Sequence, residues 1–212
     1  MDAARPILVG VLASGGGTNL QALIDRSEDG SLAARIVVVI SNNSGAGALE
    51  RARRHGIPAL HLSRATHADP DALDAAIRGA LVAHRAEWAA LAGYMRPLGP
   101  HTLAAFRHRI LNIHPALLPR FGGKGMYGLH VHEAVLAAGE TVTGVTVHLV
   151  TDEYDAGPIV AQRKVPVLPG DTPETLQQRV LEQEHRVYAE VIQAIAEGRL
   201  KIENGAPSLR ID

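Results

Sequence analysis

Two residues able to do chemistry stand two positions apart in the stretch Leu111-Asn112-Ile113-His114-Pro115. An apolar run, Arg109-Ile110-Leu111, leads into them and reads as a buried strand. Residues i and i+2 of a strand share a face, so Asn112 and His114 aim at one spot. An amide can donate to a carbonyl oxygen, and an imidazole can protonate it. Together they suit acyl transfer, in which that oxygen gains negative charge. Pro115 and Pro119 forbid a regular continuation, which puts the pair at a strand end. Alone, a His before Pro serves equally well as a turn cap. The later segment Asp155-Ala156-Gly157-Pro158 tips the balance toward chemistry.

A second chemical signal lies near the start. Ser14-Gly15-Gly16-Gly17-Thr18-Asn19 follows the apolar run 7–13 and precedes Leu20-Gln21-Ala22-Leu23-Ile24, which has helical spacing. A strand, a glycine loop and a helix start make an anion site, because free N–H groups and the helix dipole both favour negative charge. The plainer alternative is a tight turn with Thr18 or Asn19 as N-cap. No Gly-Lys-Ser/Thr follows, and position 20 is Leu where a dinucleotide fingerprint needs Gly. ATP and NAD therefore fit poorly.

The elements that must position these residues follow the pattern of a doubly wound sheet. Strands are expected at 7–13, 35–41, 57–62, 88–92 and 109–114. Helices are expected from Leu20, over 46–55, from Pro70 with Asp69 as N-cap, and over 100–108. A strand pair, 141–150 and 159–167, follows, then a long helix over 173–197 that ends at Gly198. The expected fold is α/β: a single doubly wound, mostly parallel sheet flanked by helices, with an antiparallel carboxyl-terminal strand pair, a Rossmann variant. Four glycines within 120–128 read as a mobile loop beside the catalytic strand end, suited to a lid. Glu184, by sequence alone, reads as a solvated charge on the last helix. Residues 201–212 read as a polar tail.

Composition narrows the classes. The 212 residues carry 21 basic and 22 acidic side chains, which leaves no basic excess for nucleic acid. No apolar run approaches the roughly 20 residues that span a bilayer, and residues 1–6 lack the order of a secretion signal. There is no cysteine, so disulfides and thiolate metal sites are excluded. His130 and His132 could ligate zinc, but no third ligand stands at a suitable spacing, so no metal is expected. The expected location is the cytoplasm. Monomer and homodimer both stay open.

Asn112-x-His114-Pro115-x-Leu117-Leu118-Pro119, followed by Asp155-x-Gly157-Pro158, resembles the formyltransferases that use 10-formyltetrahydrofolate, and within them the branch that formylates glycinamide ribonucleotide. The resemblance runs from Ile7 to about Leu200, with the motifs in the family's order. It implies that the substrates are two small molecules, glycinamide ribonucleotide and the folate, with neither nucleic acid nor membrane as partner. Asn112, His114 and Asp155 are then the catalytic residues, with Asp155 holding His114 charged. Met95, Arg96, Pro97 and Leu98, together with Asn112, Thr151, Asp152, Glu153, Tyr154 and Asp155, are the implied folate contacts. Gly17, Thr18 and Asn19 are the implied phosphate contacts, and Glu184 meets the amine and ribose end. Pro70 stands where the family often has an arginine, with Arg64 as a substitute. The implied domain spans 1–200, with a phosphate-binding half to about 98 and a folate and catalytic half beyond. Methionyl-tRNA formyltransferase adds an RNA-binding domain, and the folate hydrolase an amino-terminal regulatory one; neither is expected here. A non-catalytic nucleotide-phosphate sensor would explain the glycine loop but not the Asn–His–Asp set.

Overall fold

A computed structural model describes residues 5–209. The chain runs β1 (Ile7–Leu12), α1 (Thr18–Glu28), β2 (Ala34–Ser41), α2 (Gly47–Arg54), β3 (Ala59–His61), α3 (Pro70–Ala83), β4 (Trp88–Leu91) and α4 (Pro100–Ala105). It continues with β5 (Ile110–His114), α5 (Leu129–Ala137), β6 (Val142–Leu149), β7 (Ile159–Pro166), α6 (Pro173–Ala196), β8 (Leu200–Glu203) and β9 (Ala206–Leu209). Seven strands form one sheet in the order β3-β2-β1-β4-β5-β6-β7. The first five in sequence pair in parallel, and β6 and β7 are antiparallel. The strand order reverses between β1 and β4, and the crevice beyond their carboxyl ends is where such sheets hold ligands.

Alternation along the strands builds two cores. Val9, Val11, Ala90, Leu111 and Val147 pack with α1, α2, α5 and α6 on one face. Leu12, Leu91, Ile110, Ile77 and Leu81 pack with α3 on the other, where α4 also lies. Asn112 and His114 share the parity of Ile110, so they point to this second face, just past the point where the core ends.

Helix ends are set by residues readable in the sequence. Asp69 accepts from the backbone N–H groups of Asp71 and Ala72 ahead of Pro70. Thr172 and Thr175 close a capping box at the start of α6. Asp74, a buried carboxylate on α3, accepts from the N–H groups of His101 and Thr102 and from the Thr102 hydroxyl, which fixes the start of α4. Tyr188 of α6 is fully buried, and its hydroxyl donates to the carbonyls of Leu91 and Leu111 at 3.0 and 3.2 Å. It thereby ties α6 to the backbones of β4 and β5.

Two expectations need correction. The stretch from Lys201 read as a polar tail forms, as far as Leu209, the hairpin β8–β9, turning on Asn204 and Gly205 with φ of 53 and 81°. Both residues have positive φ, as a two-residue hairpin turn requires, and Asn-Gly is the dipeptide that supplies it. Residues 210–212 lie outside the described residues. At the glycine loop, neither Thr18 nor Asn19 caps α1: Gly17 is the N-cap, left-handed at φ 75°, and among the described residues no side chain caps the helix.

Candidate active site

A cavity of about 1000 Å³ opens at the carboxyl ends of β1, β4 and β5. Its walls are residues 14–19 after β1, 91–98 after β4, 112–115 at the end of β5, 123–128, 150–155 after β6, and Gln177, Leu181 and Glu184 of α6. Every residue proposed as a site residue from the sequence lines this one cavity. The two proposed halves of the chain share it, since 14–19 and 91–98 face 112–155 and Glu184 across it. Arg64, the substitute for the family arginine, is not among its lining residues.

Asp155 is the hub of the floor. It sits at φ 52° on the turn after β6. One carboxylate oxygen accepts from Asn112 Nδ2 at 3.3 Å and lies 3.5 Å from His148 Nε2. The other accepts from the Gly123 N–H at 2.9 Å and lies 3.5 Å from His114 Nδ1. Burial alone would raise its pKa, but hydrogen bonding to His148 and Gly123 and the nearby His114 outweigh it and hold the carboxyl below its ordinary value. The turn is fixed by Gly157, where a Cβ would lie 1.7 Å from the Leu149 carbonyl oxygen.

His114 is buried, and its Nε2 donates to the Phe121 carbonyl at 2.8 Å. Here one expectation is overturned. Burial pushes the imidazole pKa down and outweighs the upward pull of Asp155 and of the Phe121 carbonyl. Asp155 thus acts in the expected direction without winning, and the unliganded site favours neutral His114. The segment 121–128 is free of helix and strand, as its glycines imply, but its first residues are stitched to His114 and Asp155 through Phe121 and Gly123. The turn beyond His114 is held from β6: Thr146, opposite His114, donates to the Ala116 carbonyl and accepts from the Leu118 N–H.

His148 was not found from the sequence. It faces Asn112 across the β5–β6 ladder, and Asn112 Nδ2 stands 3.0 Å from His148 Nε2. His148 Nδ1 donates to the Leu149 carbonyl, and its Nε2 lies beside both the Asn112 amide and the Asp155 carboxylate. The Asn112 amide nitrogen is therefore held between His148 and Asp155. The alternation of β6 sets His148 and Thr146 on the side opposite Val145 and Val147, but the pairing register is not in the sequence.

The glycine loop meets the opposite wall. A Cβ on Gly17 would lie 2.8 Å from Ala48, so only glycine fits. Ser14 Oγ donates to Asn42 Oδ1 at 2.5 Å and accepts from the Met95 N–H at 2.8 Å, joining this loop to the one after β4. Arg51 Nε donates to the Gly16 carbonyl. In the β4 loop Met95 is exposed, whereas Leu98 also belongs to the second core. Among the described residues no side chain caps the first-turn N–H groups of α1, which leaves them for an anion.

Glu184 contradicts its solvated reading. It is 8% exposed, and its carboxylate accepts from Asn19 Nδ2 at 2.6 Å. Burial raises its pKa to about 6 against that hydrogen bond. The helical stripe held the signal: Glu184 follows Val180 by four positions and precedes Val187 by three. A carboxyl with a raised folded pKa stabilises fully below its unfolded pKa, and that contribution is lost as pH rises through the folded value. Glu184→Gln should therefore be more stable than the parent at pH 8, by up to about 2 kcal/mol. The difference should vanish near pH 4, and thermal melts at the two pH values check it.

A model of the family described as formyl transferase matches residues 8–192. The chain belongs to that family. It is 43% identical over 202 residues to the chloroplastic phosphoribosylglycinamide formyltransferase of Arabidopsis thaliana, covering 94% of this chain and 69% of that protein. It is 40% identical to the phosphoribosylglycinamide formyltransferase of Escherichia coli, over 92% of this chain and 90% of that one. The crystal structure of glycinamide ribonucleotide transformylase 1 from Symbiobacterium toebii superposes with a TM-score of 0.91 at 46% identity, covering 99% of this chain and 96% of that one.

Proposed function

We infer that the chain transfers the formyl group of 10-formyltetrahydrofolate to the amine of glycinamide ribonucleotide, giving formylglycinamide ribonucleotide for purine synthesis. The observation that carries this is the convergence of Asn112, His114 and Asp155 on the floor of one cavity, between a glycine loop and the loop after β4. The names of the relatives point the same way. The phosphate belongs at Gly17, Thr18 and Asn19, and the amine and ribose end at Glu184. The folate belongs against Met95–Leu98 and Thr151–Asp155. No helix among the described residues is long and apolar enough to cross a membrane, and the absence of cysteine fits a reducing compartment such as the cytoplasm.

In the reaction the amine lone pair attacks the formyl carbon, and the carbonyl oxygen takes up an electron pair. Asn112 releases His148 or Asp155 and donates to that oxygen. The new negative charge raises the pKa of His114 beside it, so the imidazole takes up a proton from water as charge develops. Asp155 stabilises that cation. The amine nitrogen then loses a proton, which water and Asp155 relay to the folate nitrogen as its bond to carbon breaks. The electron pair on oxygen re-forms the carbonyl, and His114 returns its proton to water. Holding both substrates together supplies much of the rate.

The test is an assay of formyl transfer from 10-formyltetrahydrofolate with glycinamide ribonucleotide, with methionyl-tRNA and with water as acceptors. Formylation of the ribonucleotide alone is expected. Formate release without an acceptor would identify a hydrolase instead.

A further inference from the structure

His132, in the first turn of α5, plays no part in the reaction just described. Its ring is 1% exposed, and its Nδ1 is closed to solvent with no hydrogen-bond partner among the described residues. It nevertheless lines the catalytic cavity. An aliphatic side chain would fill the same space without burying an unpaired polar atom, which folding penalises.

The layers of the fold say which end of the cavity it serves. Helices α1, α5 and α6 pack on one face of the sheet. From that face come Asn19, Gln177, Leu181 and Glu184, and the loop bearing Leu98 packs on the other. Asn19 Oδ1 is a second buried polar atom without a partner, on the same wall. Both unpaired side chains line the cavity with Glu184, which Asn19 touches, and a polar ligand completes them.

We propose that His132 is a further substrate-binding residue, one that hydrogen bonds the glycinamide or ribose portion of the ribonucleotide. The proposal rests on the function inferred above. Burial and the nearby His114 push the His132 pKa down to about 4. The ring is thus neutral at working pH, with one donor and one acceptor to offer a ligand rich in N–H and hydroxyl groups.

Two variants of the full chain test this. His132→Leu removes the hydrogen bond and keeps an apolar side chain, and His132→Asn restores an amide near the place of Nδ1. The expected result is a KM for glycinamide ribonucleotide raised about fivefold to tenfold in the Leu variant, with the folate KM unchanged and the Asn variant close to the parent. In the parent, the ribonucleotide alone should shift the His132 ring nitrogen signals in NMR. A Leu variant with unaltered ribonucleotide KM overturns the proposal. So does an equal rise of both KM values with a lowered melting temperature, which marks packing only. A parent chain that binds the ribonucleotide without formylating it overturns the proposed function, and the ring signals then decide the role of His132. A parent that does not respond to the ribonucleotide overturns both.

Discussion

Asp155→Asn should lower turnover by at least about a hundredfold, the low end for loss of an acid–base group. The variant keeps the shape and removes the charge on which four neighbours converge. Burial already pushes the His114 pKa down, and Asp155 is the first force opposing it. Without that carboxylate the His114 pKa should fall further, which NMR titration of both proteins measures. The amide also misfits locally. Asp155 accepts from Asn112 on one oxygen and from the Gly123 N–H on the other. An Asn there must set its own NH2 against one of those donors. Binding of a folate analogue should change far less, because residues 95–98 keep their places. Stability should respond to pH as well. A carboxyl held below its ordinary value stabilises above its unfolded pKa, and this is lost as pH falls through the folded one. The stability gap between parent and variant should therefore close in acid. Near-normal turnover with an unchanged His114 pKa would reduce Asp155 to a turn residue.

Gly157→Ala should cost stability and activity together. The added Cβ would lie 1.7 Å from the Leu149 carbonyl oxygen and 2.9 Å from its carbon, both backbone atoms of β6. Those atoms cannot retreat easily, because the Leu149 N–H donates to the Pro158 carbonyl and Leu149 is paired with Leu111. Relief must come from the turn that carries Asp155. Overpacking of this severity costs about 3 kcal/mol or more. For a chain of this size that is a fall in melting temperature of roughly 6–12 °C. Turnover should fall with it, since Asp155 lies two residues away. Gly79→Ala is the control. It sits in α3 with nothing within 4 Å of its Cβ and should raise stability by roughly 0.5–1 kcal/mol. Calorimetry of the two variants beside the parent distinguishes a steric cause from a general intolerance of alanine.

What the sequence disclosed and what it withheld divide along a physical line. Apolar runs fixed β1, β2, β4 and β5, and the Asp69 cap fixed the start of α3, because these signals act within one turn or one strand. The Asn112–His114 pair was legible for the same reason, as a two-residue repeat on a strand. His148 needed the register of β5 on β6, a relation between residues 36 positions apart. The pKa of His114 needed the balance of burial against charge, which depends on the folded surroundings. Glu184 was misread although its spacing carried the signal, because a charge on a helix is usually solvated. The hairpin signal at Asn204-Gly205 is local too, a turn dipeptide set among polar neighbours.

Ser14 has a consequence for how the two substrates meet. Its single hydroxyl belongs to two walls at once, giving its proton to Asn42 and taking one from the Met95 backbone. Both commitments run through one atom, so ordering the glycine loop and ordering the loop after β4 are not independent events. Whatever cooperativity passes along this bridge is bound by thermodynamic reciprocity. The factor by which a seated ribonucleotide tightens the folate is the factor by which a seated folate tightens the ribonucleotide.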